Sequence, residues 1–186
     1  MKKELLLVMT GVLLTTSVRA AETKIGFIND AALAQQSTAL QGLQLQRDKT
    51  VALLKAQVEK EVQAIINRKK ELAEQEKDLS KAELGIKLDS IDKAERELQE
   101  KAQKAGQELQ EEFANALISF KEKAVNPVVK ELAKEKGFDA IVDARIAFYF
   151  DDDLDMTKQA IERVNKKMPK IDIKKVSLEP AKKAKK

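Results

Sequence analysis

The 186 residues include 35 Lys and Arg, 31 Asp and Glu, and no Cys or His, for a formal net charge of +4. Without His or Cys there is no zinc site of the usual kind, no Ser–His or Cys–His nucleophile and no disulfide framework. The seven aromatics are Phe27, Phe113, Phe120, Phe138, Phe148, Tyr149 and Phe150, so residues 28–112 lack the large rings that fill a globular core.

Met1 to Ala20 reads as a secretory signal. Lys2 and Lys3 form the positive end, the apolar run spans Leu5 to Val18, and Val18-Arg19-Ala20 supplies small residues for cleavage before Ala21. That run is shorter than the roughly 20 residues a spanning helix needs. The mature chain is therefore expected outside the cytoplasm, where there is no ATP pool, and no Walker-type phosphate loop appears.

Residues 23–29 read as a short strand with Ile25, Phe27 and Asn29 on one face. A helical pattern then runs from about Ala31 to Asp78. Ser80 and Glu83 form a capping box, flanked by Leu79 and Leu84 as a hydrophobic staple, so a new helix starts there and the chain doubles back. On the return, Ile91, Ala94, Leu98, Ala102, Ala105, Leu109, Phe113, Ala116, Phe120 and Ala124 follow steps of 3-4-4. Leu40, Leu43, Val51, Leu54, Val58, Val62, Ile65 and Ala73 keep that phase on the way out, with Arg47 and Lys69 as exceptions. An eleven-residue repeat predicts a nearly straight pair, an arm on the order of 70 Å long. Pro127 predicts a kink and Lys136-Gly137 a helix stop. Phe138–Val142 and Ile146–Phe150 read as two more strands, and Thr157 as the cap of a last helix to Lys167 that buries Ala160, Ile161, Val164 and Met168.

The expected architecture is α+β, mainly α. Residues 21–30 and 137–168 make a small body of strands and one helix, residues 31–136 form a helical hairpin arm with its tip near 79–80, and 169–186 form a disordered Lys-rich tail. So small a body needs help to stay folded, and with no disulfide or metal staple that help is oligomerisation.

Few residues invite chemistry. Asp151, Asp153, Asp155 and Glu162 match the calcium-loop spacing, but Met156 stands where the sharp turn requires Gly, so no metal is assigned. No catalytic or cofactor-binding residue is assigned either, because carboxylates on exposed arms have no desolvated pocket to tune them. The arm carries 19 basic and 19 acidic residues, a solvated face that suits weak, scattered contacts with a disordered partner. Off-seam Ile66, Ile86 and Ile118, with Leu79 at the tip, are the candidate contact points. Residues 165–186 hold nine Lys against Asp172 and Glu179, which suits anionic lipid or lipopolysaccharide; nucleic acid is not an expected partner outside the cytoplasm.

Lys24-Ile25-Gly26-Phe27-Ile28-Asn29, the long hairpin, Glu135-Lys136-Gly137-Phe138-Asp139-Ala140-Ile141-Val142-Asp143-Ala144, Tyr149 and Leu154-Asp155-Met156-Thr157 together resemble the Skp (OmpH) family of periplasmic chaperones. The resemblance covers residues 23–168 and is most specific at 135–157. It implies a homotrimer whose shared body would include Ile25, Phe27, Phe138, Ile141, Phe148, Tyr149 and Phe150. It also implies three arms enclosing a cavity that holds unfolded outer-membrane proteins without ATP. Two departures stand out. The arm is balanced in charge where family arms are often basic, and the positive excess sits in the tail beyond the family domain. The rival reading is a structural or tethering coiled coil of the cell envelope that attaches through the basic tail. Removing residues 169–186 separates the two, since a tether would lose attachment and a holdase would keep its activity.

Overall fold

The computed structural model describes residues 23–178; the signal-like segment, Met1–Ala20, and the last eight residues lie outside that range. The elements are β1 (Ile25–Ile28), α1 (Asp30–Gln36), α2 (Thr38–Gln75), α3 (Lys81–Phe120), α4 (Asn126–Lys136), β2 (Ala140–Asp143) and α5 (Thr157–Lys167). The fold is α+β and mainly helical, as the pattern predicts. Among the described residues no helix is long and apolar enough to cross a membrane.

The hairpin turns where its sequence says it should. Ser80 Oγ accepts from the Glu83 N–H while the Glu83 carboxylate accepts from the Ser80 N–H. Those two bonds satisfy amides that the helix start leaves without partners. A single 3-10 turn, Glu76–Asp78, makes the reversal. Leu79 and Leu84 pack on buried Ile65, Leu72 and Ile91, which closes the tip. With 38 residues in α2 and 40 in α3, the arm reaches about 60 Å.

The return helix follows its repeat, and all ten 3-4-4 positions are buried or half-buried. The outgoing helix follows it less strictly. Leu72 is buried in place of Ala73, and Val51 and Val62 remain exposed at the edge of the seam. Both polar exceptions cross the hairpin. The Arg47 guanidinium lies over the Phe113 ring at 5.3 Å, and Lys69 Nζ meets Glu95 Oε1 at 2.7 Å.

The pattern from Ala31 to Asp78 is interrupted once, at Ser37. Its buried side chain caps α2 by accepting from the Leu40 N–H. Asn165 of α5 ties the break together, accepting from the Thr38 N–H at 2.9 Å and donating to the Gln36 carbonyl at 3.1 Å. At Pro127 the helix adjusts without stopping. A π turn, Lys121–Val125, brings the Asn126 N–H to the Lys121 carbonyl, the accommodation a ring without an N–H demands. Gly137 ends α4 at φ 69°, a left-handed conformation that only Gly adopts cheaply.

β1 and β2 pair in parallel, Ile25 with Ala140 through Ile28 with Asp143, although the whole arm separates them in sequence. Gly26 is what permits the Phe138 ring to lie on this ribbon, since a Cβ there would sit 2.8 Å from the ring. Ile28, Leu33, Ala39, Phe120, Ala124, Val128, Leu132, Met156, Ala160 and Val164 form the main core, where β1, α1, α4 and α5 close around the root of the arm. Bidentate Arg163–Glu135 hydrogen bonds of 2.7 and 2.6 Å and a Lys167–Glu131 pair clamp α5 onto α4.

Three expectations are corrected. Ile146–Phe150 is not a strand: after a 3-10 turn at Ala144–Ile146 the segment runs without a ladder. The reason is that within one chain β1 and β2 pair only with each other, apart from a single Phe27–Asp155 bridge. Thr157 does not cap α5. It is the first helical residue, its N–H donates to Asp155 and its hydroxyl accepts from the Asn29 N–H at 2.9 Å, joining α5 to the start of α1. Finally, residues 169–178 are placed, lying extended along the arm with Val176 buried between the helices. Lys170, Lys174 and Lys175 interrupt that stretch, but Ile171, Ile173, Val176 and Leu178 bury enough apolar surface to hold it.

Candidate functional site

Small residues decide where the arm opens. Opposite Val51, Leu54 and Val58, α3 presents Ala102, Ala105 and Gly106, too short to fill the seam. A groove of about 660 Å³ results, floored by Val51, Leu54, Val58, Ala102, Gly106, Leu109 and Phe113, edged by Arg47, Lys55 and Gln110, and walled at one side by Leu178 of the C-terminal segment. Towards the tip it continues, sharing Val58 and Ala102, as a second groove of about 330 Å³ lined by Val62, Ile65, Ile66 and Leu98 with Lys69 and Glu95 at the rim. The surface is long, shallow and mostly apolar, with charges at its edges. It can hold hydrocarbon against the arm but offers little to discriminate one chain from another.

Of the four predicted contact residues, Ile66 lines this groove. Ile86 is 69% and Ile118 55% exposed on α3, about 48 Å apart along one helix. Leu79 is half-buried in the tip cluster, so most of its surface is already committed to closing the hairpin. Sequence reasoning passed over Val51 and Val62, which it placed in the seam; the small residues facing them were the available signal.

The residues predicted for the shared body divide into two sets. Phe27 and Phe150 stack with ring centroids 4.3 Å apart, Phe138 covers Gly26, and Ile141 packs on the main core. Ile25, Phe148 and Tyr149 instead face outwards, Phe148 being as open as a free side chain at 110%. Ile146, which sequence reasoning did not single out, joins them at 73%.

Every carboxylate with a displaced pKa among the described residues has a structural partner. Hydrogen bonds from Arg145 hold Asp143 down to about 2. Arg163 lowers Glu135, Lys174 lowers Glu112, and the Ser80 hydroxyl and amide lower Glu83. In the acidic turn, Asp151 accepts from the Tyr149 hydroxyl at 2.6 Å, Asp155 accepts from the Thr157 N–H, and Met156 is buried in the core. These groups fasten helices and turns; none lines the grooves.

The model of the OmpH-like outer membrane protein family matches residues 24–164. Among solved structures, a candidate outer membrane chaperone (OmpH-like) from Caulobacter crescentus CB15 has the same fold, with a TM-score of 0.76 at 12% identity. The alignment covers 84% of this chain and 92% of that one. No curated protein matches.

Proposed function

The chain belongs to the OmpH-like family of outer membrane proteins, and from that premise we propose that it is an ATP-independent periplasmic holdase chaperone for unfolded outer-membrane proteins. The observation that carries the reading is the continuous apolar groove along an arm of balanced charge, with Val51, Val62 and Ile66 at its surface. An unfolded β-barrel chain presents short apolar stretches separated by polar ones. A long, shallow groove meets many of them weakly, and weak contacts spread along an arm release a client whenever membrane insertion is more favourable. No nucleotide enters this cycle.

The body supplies the second half of the proposal. Its two-stranded ribbon and main core are small, and Ile25, Ile146, Phe148 and Tyr149 remain exposed among the described residues. Covering that set with two further copies gives a homotrimer in which three arms surround the client and Ile146–Phe150 finds strand partners. Sedimentation of the processed chain should give three times the monomer mass, and Phe148→Asp should lower it.

The function is tested by diluting a urea-unfolded outer-membrane β-barrel protein into buffer and following light scattering. One trimer per client should suppress aggregation without ATP. Unchanged aggregation at several-fold excess of trimer would overturn the reading.

A further inference from the structure

The C-terminal segment lies on the arm in the way an extended foreign peptide would. Ile171, Ile173, Val176 and Leu178 turn towards the helices, whereas Asp172 and Lys175 are exposed. Val176 completes the cluster of Ala105 and Leu109, with Leu54 against it. The polar contacts are largely to the strap's main chain. Gln46 donates to the Ile171 carbonyl at 2.8 Å and accepts from the Ile173 N–H at 3.3 Å, so one carboxamide brackets an extended backbone. Gln57 accepts from the Leu178 N–H at 3.1 Å and donates to the Ser177 hydroxyl at 3.4 Å. Residues 46 and 57 stand eleven apart, three helical turns on the same face, about 16 Å. That spacing matches the extended chain between the two clamps at about 3.3 Å per residue. Lys174 adds the one charged link, to Glu112 at 2.7 Å.

Backbone clamps at a fixed spacing, with apolar recesses between them, do not depend on the sequence of the segment they hold. We propose that the Gln46–Gln57 face of the arm is a binding site for extended, apolar-alternating segments of unfolded clients, and that residues 170–178 occupy it as an intramolecular competitor. This rests on the holdase reading. Each arm is then shut in part until a client displaces the strap, and the strap returns when the client leaves, so release is assisted without ATP.

The chain has no cysteine, which permits a clean lock that leaves both glutamine clamps in place: Glu112→Cys with Lys174→Cys, whose native side chains meet at 2.7 Å, joined by a cleavable bismaleimide in the full-length protein. Titrated with the urea-unfolded β-barrel protein, the locked form should bind at least five-fold more weakly than the same protein after cleavage. Equal binding in both forms overturns the competitor role. A labelled peptide of sequence 170–178 supplies a readout that needs no client. It should bind Ile173→Asp/Val176→Asp protein saturably, bind wild type at least ten-fold more weakly, and lose affinity when Gln46→Ala and Gln57→Ala are added. Absence of peptide binding to the folded, strap-released protein overturns the site. If neither cleaved nor locked protein binds client while the peptide still binds, the holdase reading fails and the Gln46–Gln57 face stands as a peptide site.

Discussion

At the root of the molecule, Leu33, Val128, Leu132 and Val164 are no more than 2% exposed; along the arm, Val51, Val62 and Ile66 keep 39–50% of their surface open. The difference lies in how many elements meet. At the root β1, α1, α4 and α5 surround the ends of the arm helices, so apolar side chains are covered from several directions. Along the arm two helices share one seam, part of which is faced by Ala and Gly. A single seam joins helices without filling the space beside them, and the unfilled space is the groove. Buried packing concentrates at one end of the molecule and open apolar surface at the other.

Substitutions at the two ends should therefore differ in kind. Leu132→Ala removes a fully buried side chain from the root and should cost about 2–5 kcal/mol, read as a fall in the urea midpoint; a cost under about 1 kcal/mol would mean the root is not the stable part. At the far end, Ser80→Ala removes the capping box, worth about 1 kcal/mol. Faster amide exchange confined to the tip is expected, with exchange at the root unchanged. Uniformly faster exchange would show that arm and root unfold as one unit.

Much of this contrast is legible in the sequence. The 3-4-4 repeat, the Ser80–Glu83 box and the Gly137 stop are local patterns with local causes, and the helices follow them. What could not be read depends on distant partners. The break at Ser37 is held by Asn165 from the other end of the chain. The strap is hidden because it runs straight into the lysine-rich end of the chain, so that residues 169–186 read as one charged tail. The strand at Ile146–Phe150 fails within one chain for want of a neighbour. For the candidate site, Ile66 was found because it lies off the seam, while Val51 and Val62 were not, because periodicity says nothing about the size of the facing residue.

Two smaller effects sharpen the comparison. Phe113→Leu keeps an apolar side chain at the groove wall but removes the ring under Arg47. A loss of about 0.5–1 kcal/mol is expected, with the root unaffected by amide exchange. In the body, the Asp143 carboxylate accepts from the Arg145 guanidinium and amide, which lowers its pKa from 3.8 to about 2. A depressed folded-state value means the contribution is full above about pH 4 and is lost as pH falls through about 2. The melting temperatures of wild type and Asp143→Asn should converge between those limits. A gap that stays constant from pH 5 to pH 2 would assign the effect to packing.

On the holdase reading, the open arm holds the client while the root only carries it. Residue-resolved amide exchange of the wild-type protein, with and without a bound unfolded outer-membrane β-barrel protein, tests this most directly. Added protection is expected at residues 47–69 and 95–113, with no change at Val128, Leu132 or Val164. Protection confined to the root and body, with the arm unchanged in the presence of stably bound client, would contradict it.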